Sequence, residues 1–319
     1  MFLNSKILGH GYFLPEKILK NNDFLKFVET SDEWIFSRTG IKQRHIAKKN
    51  ELTSDLAIKA SINALKSANL NSKDIDCVIL ATTTPDNTFP STATKVQTKL
   101  GMRNISAFDI QAVCSGFIYS IQIADSLIKC KKAENVLVIG AETLSKIVDW
   151  EDRRTCVLFG DGAGAVILGP TEKNEGILST KLYSDGAWHE SLYSDGGPSK
   201  NQMVGKIRMN GQDIFKQAVN KLSEATFEAL DDCKLNIKDV SWFIPHQANQ
   251  RIITSTAKKI GISEEKTIST VKFHANTSAA SIPLALSSSI DSGKIKRDDI
   301  LALCAIGGGL TWGSCILRI

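Results

Sequence analysis

The sequence predicts an α/β fold in which one half of the chain resembles the other. Apolar segments with helical spacing alternate with short strand-like apolar runs along the 319 residues. The clearest of these segments are, in order, a helix over 55–68, a strand over 77–81, a helix over 115–129 and a strand over 136–140. This alternation is typical of sheets covered by helices.

Two pairs of segments indicate an internal duplication. Residues 70–80 (LNSKDIDCVIL) resemble residues 235–245 (LNIKDVSWFIP) at an offset of 165 positions. Residues 135–140 (NVLVIG) resemble residues 299–304 (DILALC) at an offset of 164 positions. Because the two offsets nearly agree, we expect two related α/β halves, residues 1–170 and residues 171–319, joined near Gly169 and Pro170.

Composition excludes several classes of protein. The chain has 42% hydrophobic residues, and its net charge of +5 comes from 39 basic and 34 acidic residues, too balanced a mixture for a nucleic-acid-binding protein. It has no apolar run of membrane-spanning length and no secretion signal at its N-terminus, so we expect a cytoplasmic protein that does not bind membranes. Seven cysteines without a C-x-x-C pair fit neither a disulfide framework nor a zinc site.

Cys114 lies where a strand-like run ends and a helical pattern begins. A thiol at a helix N-terminus gains from the free N–H groups and the helix dipole, which favour the nucleophilic thiolate. The alternative is a buried structural cysteine, and the local sequence does not decide between them. Under the duplication, the position equivalent to Cys114 is Ala279, also at a predicted helix start, and facing halves would bring Cys114 near His246 and Asn276.

Two glycine-rich segments have different interpretations. Residues 159–165 (FGDGAGA) partly match a dinucleotide-binding fingerprint, but they lead into a strand rather than the helix that such a site requires. Residues 306–313 (IGGGLTWG) follow an apolar strand, and a backbone N–H there could serve an oxyanion hole.

His246 and Asn276 stand at element ends like that of Cys114. His246 directly follows a strand-like run, whereas Asn276 alone could be a helix N-cap or an amide that stabilises an oxygen. The helix predicted over 249–260 ends at Gly261 and carries basic residues that form either a solvated face or a docking site for an acidic partner. These residues are Arg251, Lys258 and Lys259.

Six segments, in order, resemble the family of β-ketoacyl-acyl carrier protein synthase III. They are residues 30–41 (TSDEWIFSRTGI), 112–117 (AVCSGF), 159–165 (FGDGAGA), 246–249 (HQAN), 274–281 (HANTSAAS) and 307–313 (GGGLTWG). The resemblance covers essentially the whole chain. It implies the thiolase fold, two α/β halves in a five-layer αβαβα arrangement. It also implies decarboxylative Claisen condensation of an acyl-CoA with malonyl-acyl carrier protein, initiating fatty-acid synthesis, with no cofactor or metal.

The same resemblance implies roles for individual residues. Cys114 would carry the acyl group, His246 and Asn276 would bind the thioester oxygen of the extender, and the N–H groups of Cys114 and Gly308 would form the oxyanion hole. The remaining implied roles concern binding. Trp34 and Arg153 would flank the adenine of coenzyme A, and Arg38 would lie near its phosphates. Arg251, Lys258 and Lys259 would contact the carrier protein, and Phe89 would reach the acyl pocket of the partner in a homodimer.

The chain departs from the common family pattern beside the site. Ile306 and Leu310 stand where phenylalanine is common, and Ala275 replaces the usual glycine before Asn276. We expect Ile306 to border the acyl pocket, so these changes either are neutral in packing or reshape the pocket. One alternative is a secondary-metabolite condensing enzyme or an acyltransferase of the same superfamily. A second is a thiolase proper, which would need a second catalytic cysteine. A third is a non-catalytic partner subunit, which would lack the nucleophile.

Overall fold

A computed structural model describes residues 4–319, so Met1, Phe2 and Leu3 of the N-terminal segment considered above lie outside the described residues. The described residues form thirteen strands. They are β1 (Asn4–Phe13), β2 (Lys17–Lys20), β3 (Gln43–Ile46), β4 (Cys77–Ala81), β5 (Ser106–Ile110), β6 (Val136–Thr143), β7 (Asp161–Thr171), β8 (Gly176–Ser184), β9 (Leu192–Ser194), β10 (Ile207–Met209), β11 (Trp242–Pro245), β12 (Ile300–Gly307) and β13 (Thr311–Arg318).

The described residues also form eight α-helices, with short 3-10 turns between some elements. The helices are α1 (Asp32–Thr39), α2 (Thr53–Ala68), α3 (Thr92–Lys99), α4 (Gly116–Lys129), α5 (Gly211–Asp232), α6 (Gln250–Ile260), α7 (Val271–His274) and α8 (Ser281–Asp291). Among residues 4–319, no helix combines the length and the apolar character needed to cross a membrane.

The two large sheets repeat one topology. The first has strand order β1-β7-β6-β4-β5 and the second has order β8-β13-β12-β11, so each strand of the second sheet corresponds to one of the first. In both sheets the first two pairings are antiparallel, and β4 with β6 matches the parallel pair β11 with β12. The two sheets use residues 4–171 and 176–318, which agrees with the offsets in the sequence.

Helices and sheets stack in five layers, as expected for the thiolase fold. One apolar cluster joins α2 and α3 to the outer face of the first sheet. A second joins α4 and α8 to the inner faces of both sheets. A third joins α5 and α6 to the outer face of the second sheet. Helices α4 and α8 are thus buried between the sheets, where apolar burial is most complete.

The central helices begin in the same unusual way. Each follows a 3-10 turn, Val113–Ser115 before α4 and Ser278–Ala280 before α8. The first residue of each turn has a positive φ, 50° at Val113 and 49° at Ser278, and these positions are 165 apart in the chain. A side chain at Gly140 in β6 would place its Cβ 2.3 Å from the carbonyl oxygen of Ala279, so glycine is required there for the start of α8 to reach the first sheet. The duplication therefore brings two helix starts together at the centre of the molecule.

Candidate active site

Cys114 lies in the 3-10 turn that precedes α4, as the sequence predicted, and its side chain is only 5% exposed. It lines a cavity of about 130 Å³. Most of the surrounding side chains are apolar, and they come from both halves of the chain: Val113, Leu144, Ile147, Phe159, Leu192 and Ile207. The thiol is thus held at the wall of a small, mainly apolar chamber.

The helix start favours a thiolate at Cys114, but burial of the side chain opposes it in the resting site. Burial raises the pKa of the Cys114 thiol to about 12, with the negative charge of Glu142 adding to the effect. The hydroxyl of Ser278 lies beside the sulfur and acts in the opposite direction. Desolvation therefore outweighs the helix terminus, and the sulfur loses its proton only when a reaction partner accepts it.

His246 directly follows β11 and is 3% exposed. Its backbone N–H donates to the carbonyl of Cys304 at 2.7 Å, which extends the pairing of β11 with β12. Its ring Nδ1 lies 2.6 Å from Oγ of Ser281 in the first turn of α8. Burial lowers the pKa of His246 to about 3, so the imidazole is neutral at physiological pH.

Asn276 is held from both sides by backbone hydrogen bonds. Its N–H donates to the carbonyl of Leu158 at 3.0 Å, and its carbonyl accepts from the N–H of Gly160 at 2.9 Å. Its side-chain Oδ1 accepts from the N–H of Ser278 at 2.9 Å, so the amide oxygen is occupied. Nδ2 makes no hydrogen bond within residues 4–319 and remains a donor for a bound group.

Residues 276–281 connect the three predicted catalytic residues. The segment begins at Asn276, places Ser278 in the cavity of Cys114, and ends at Ser281, which bonds to His246. A Cβ built on Gly116, next to the turn of Cys114, would contact Cβ of Ala279 at 3.7 Å. The two helix starts therefore pack directly together, and this contact places the donors of the second half beside the nucleophile of the first.

Gly307 reaches closer to Cys114 than the sequence analysis indicated. A Cβ at Gly307 would lie 2.6 Å from the backbone nitrogen of Cys114, so any side chain there would displace the turn. The next residue, Gly308, is the predicted second oxyanion donor, and a Cβ there would lie 2.5 Å from the carbonyl oxygen of Leu192. The glycine triplet thus brings backbone, rather than side chains, to the nucleophile.

A buried carboxyl group, Glu142, stands behind the cavity and was missed in the sequence. It is fully buried, and it accepts hydrogen bonds from hydroxyl groups of Thr82, Thr83 and Thr84 and from the N–H of Thr83. Burial raises its pKa to about 7. A cluster of threonines ending one strand and an acidic residue within the neighbouring strand were the only sequence signals.

A second and larger cleft, of about 880 Å³, is rich in cationic side chains. Trp34 lies under two guanidinium groups, those of Arg38 at 4.7 Å and Arg153 at 4.6 Å from its ring centroid. Arg154 and Arg251 also line the cleft, as do Val157 and Leu158, which lead toward Asn276. The cleft thus combines an aromatic face with four positive charges, a surface suited to a nucleotide with phosphates.

The other predicted binding residues lie outside the cavity of Cys114. Ile306 does not line it: the side chain is 5% exposed and packs in the cluster of α5 and α6 with Leu310, because alternate residues of β12 face opposite sides of the sheet. Phe89 is 83% exposed. Lys258 is exposed on α6, and Lys259 beside it donates to the side chain of Asn220.

Ala275, which stands where the family usually has glycine, has a strained backbone conformation. Its φ of 59° and ψ of −161° fall in a region that favours glycine, the residue common in the family at this position. An L-residue held there stores strain of about 1 kcal/mol or more. The strain lies directly before Asn276, where the backbone bonds to Leu158 and Gly160 hold the chain in place.

Among residues 4–319, no group of three or more His, Cys, Asp or Glu side chains is placed to hold a metal ion. The seven cysteines are all free thiols.

The sequence and the fold of the chain are similar to those of known proteins. The family models of 3-oxoacyl-[acyl-carrier-protein] synthase III and of its C-terminal part match residues 108–186 and 230–319. Proteins named β-ketoacyl-[acyl-carrier-protein] synthase III from Ehrlichia chaffeensis and Ehrlichia canis are 57% and 55% identical, each over 99% of both chains. The crystal structure of 3-oxoacyl-[acyl-carrier-protein] synthase III from Aquifex aeolicus superposes with a TM-score of 0.95 at 50% identity, covering 99% of this chain and 100% of the other.

Proposed function

Because this chain belongs to the 3-oxoacyl-[acyl-carrier-protein] synthase III family, we propose that it condenses a short acyl-CoA with malonyl-acyl carrier protein through a thioester on Cys114. The chain is an acyl-transferring condensing enzyme of fatty-acid synthesis. The observation that carries the residue assignment is the contact between the two helix starts, which sets Cys114 against the segment that orients His246 and Asn276.

In the first half-reaction the sulfur of Cys114 attacks the acyl carbonyl of the primer. The carbon–sulfur bond to coenzyme A breaks, and the proton of the thiol leaves with the coenzyme A sulfur, so free coenzyme A and an acyl-enzyme form. The backbone N–H groups of Cys114 and Gly308 bind the carbonyl oxygen while it carries negative charge. Oriented donors of this kind stabilise the transition state by about 3 kcal/mol each.

In the second half-reaction the malonyl carbon–carboxylate bond breaks. Carbon dioxide leaves, and the electron pair is held as an enolate whose oxygen accepts hydrogen bonds from His246 Nε2 and Asn276 Nδ2. The enolate carbon then attacks the acyl carbonyl on Cys114, the sulfur leaves as thiolate and takes up a proton from solvent, and 3-oxoacyl-carrier protein is released. Neutral donors suit this step because they add no buried charge to the resting site.

Two assays on the intact protein test this function. Incubation with acetyl-CoA followed by intact mass measurement is expected to show one added acetyl group. Adding malonyl-carrier protein should then yield carbon dioxide and 3-oxoacyl-carrier protein in equal amounts. We propose that no cofactor is needed, so both reactions should proceed at an unchanged rate in the presence of a chelator. If the enzyme is acetylated but forms no 3-oxoacyl product, it transfers acyl groups without condensing them, and the proposed condensation is wrong.

The cavity of Cys114 supports a short primer. Its volume of about 130 Å³ is well below the roughly 300 Å³ at which pockets for larger ligands begin. Leu144, Ile147 and Leu192 line it with branched side chains. Acetyl-CoA should therefore acylate the enzyme faster than an acyl-CoA of eight carbons, and equal rates in the mass assay would contradict the proposal.

The cationic cleft and helix α6 support separate sites for the two substrates. We expect Arg153→Ala, which removes one guanidinium from Trp34, to raise the KM of acetyl-CoA about tenfold and to leave the KM of malonyl-carrier protein unchanged. Lys258→Glu should do the reverse, raising the KM of the acidic carrier protein by about threefold to tenfold, with a smaller effect at high salt.

Lys132→Glu is the matched control for the second substitution, because Lys132 is exposed and precedes the N-terminal end of β6, whereas Cys114 follows the C-terminal end of the parallel strand β5. It should leave both KM values unchanged. Steady-state kinetics at two ionic strengths separates these outcomes. If Lys258→Glu and Lys132→Glu change the KM of malonyl-carrier protein equally, α6 is not the docking site.

The edge of the first sheet supports a homodimer. Strand β5 pairs only with β4 among the described strands, so its other edge has no strand partner there, and four of its five residues are half-buried. The side chain of Phe89 projects into solvent. A second copy pairing at β5 would satisfy this edge. Light scattering should give twice the mass of one chain at micromolar concentration, and a single-chain mass would exclude the dimer.

The free cysteines support action in the cytoplasm, where thiols stay reduced. Cell fractionation with an antibody against the chain tests the location. Recovery in a membrane or secreted fraction would contradict it.

A further inference from the structure

The tautomer of His246 is set by a neighbour on the other central helix. Ser281 is the first residue of α8 and is 1% exposed. Its Oγ has two partners within residues 4–319, the ring Nδ1 of His246 at 2.6 Å and the backbone N–H of Gln247 at 3.3 Å. The second of these groups can only donate. The oxygen of Ser281 therefore accepts a hydrogen bond from the N–H of Gln247. The remaining question is which group accepts the hydroxyl proton of Ser281.

Only one arrangement satisfies every polar atom at this point. If the hydroxyl of Ser281 donates to Nδ1 of His246, its oxygen accepts from Gln247 and its proton has a partner. If Nδ1 carried the hydrogen and donated instead, the hydroxyl proton would be buried without an acceptor. A buried hydroxyl proton without an acceptor is destabilising, because the group has lost its hydrogen bonds to water and gained none in return. The first arrangement is therefore favoured, and it leaves the single imidazole proton on Nε2.

This arrangement matters because the two ring nitrogens of a neutral imidazole have opposite roles. Burial keeps His246 neutral, so Nε2–H is a hydrogen-bond donor and not a base. Nε2 makes no hydrogen bond within the described residues, which leaves it for a bound group. In the same segment the N–H of Ser278 fixes the amide of Asn276 with its nitrogen free. Both side chains are thus oriented as donors by groups at the start of α8.

We propose that Ser281 is a positioning residue that holds His246 in the Nε2–H tautomer, so that the imidazole donates to the enolate oxygen during decarboxylation. The proposal rests on the function given above and adds a residue to it. Ser281 touches neither substrate in this scheme, since it acts through His246. Removing its hydroxyl should slow decarboxylation while the acylation of Cys114 proceeds normally.

Nitrogen NMR of the whole protein tests the tautomer independently of activity. The chain has five histidines, so ¹⁵N labelling of histidine gives few signals, and comparison with His246→Ala identifies the pair from His246. In the native protein we expect an unprotonated Nδ1 and a protonated Nε2. In Ser281→Ala the two signals should move toward each other as the tautomers mix. A protonated Nδ1 in the native protein would overturn the proposal, even if the enzyme condenses its substrates normally.

Kinetics with a matched variant complete the test. Ser281→Ala should lower the rate of carbon dioxide release about tenfold and change the rate of Cys114 acylation by less than about twofold. Ser281→Thr, which keeps a hydroxyl, should recover much of the loss. Ser287→Ala removes another buried hydroxyl from α8, one that donates to the carbonyl of Gly11, and should leave both rates unchanged. Normal carbon dioxide release by a folded Ser281→Ala protein would contradict the proposal. Absence of condensation by the native protein would instead contradict the function itself.

Discussion

Cys114→Ala is expected to abolish acyl-enzyme formation, with a fall in condensation of more than about 10³-fold. The sulfur is the atom that holds the acyl group between the two half-reactions, and no neighbouring side chain can replace it. The hydroxyl of Ser278 lies beside the sulfur, but a hydroxyl is a far weaker nucleophile than a thiol. Intact mass measurement after incubation with acetyl-CoA should show no added acetyl group.

Cys315→Ala is the control for this substitution, because Cys315 is also a fully buried thiol but lies in β13 within the core between the sheets. Its acetylation should match that of the native protein. An acetyl group that persists on the Cys114→Ala protein would show that another residue is the nucleophile. Retained condensation without a mass increase would point to direct transfer between the two substrates.

Much of the fold could be predicted from the sequence because the duplication left matching segments in both halves. The offset of 165 residues between the strands now called β4 and β11 also relates Val113 to Ser278, the residues with positive φ that open the two central turns. The extent of the first sheet was harder to predict. Strand β1 pairs with β7 across 150 to 167 residues of chain, and such a pairing leaves no local periodicity.

The sequence indicates where the candidate site residues stand in the fold but not their electrostatics. Cys114, His246 and Asn276 stand at element ends, a position that the sequence shows directly. The protonation state depends on burial, which sequence does not show: the same helix start that favours a thiolate is covered so completely that the thiol pKa rises. The sequence analysis placed Ile306 beside the acyl pocket, whereas the structure turns its side chain away from Cys114. The direction of this side chain depends on the register of β12 with β13, which the sequence does not show.

His246→Ala and Asn276→Ala are each expected to slow decarboxylation by about 10² to 10³-fold while leaving acylation within a few-fold of the native rate. Each removes one donor to the enolate oxygen, and neither touches the backbone donors at Cys114 and Gly308 that serve the first half-reaction. Release of labelled carbon dioxide from malonyl-carrier protein measures the first rate. Intact mass against time with acetyl-CoA measures the second.

The double variant distinguishes a shared role from two separate ones. If His246 and Asn276 bind one oxygen together, the loss of the second donor should cost less than the loss of the first, because a single remaining hydrogen bond no longer fixes the enolate. If the two residues act on different atoms, the losses should multiply. A His246→Ala protein that is slow in acylation as well would show that the imidazole also accepts the proton of Cys114. It would then need a lone pair on Nε2, contrary to the hydrogen bonding with Ser281.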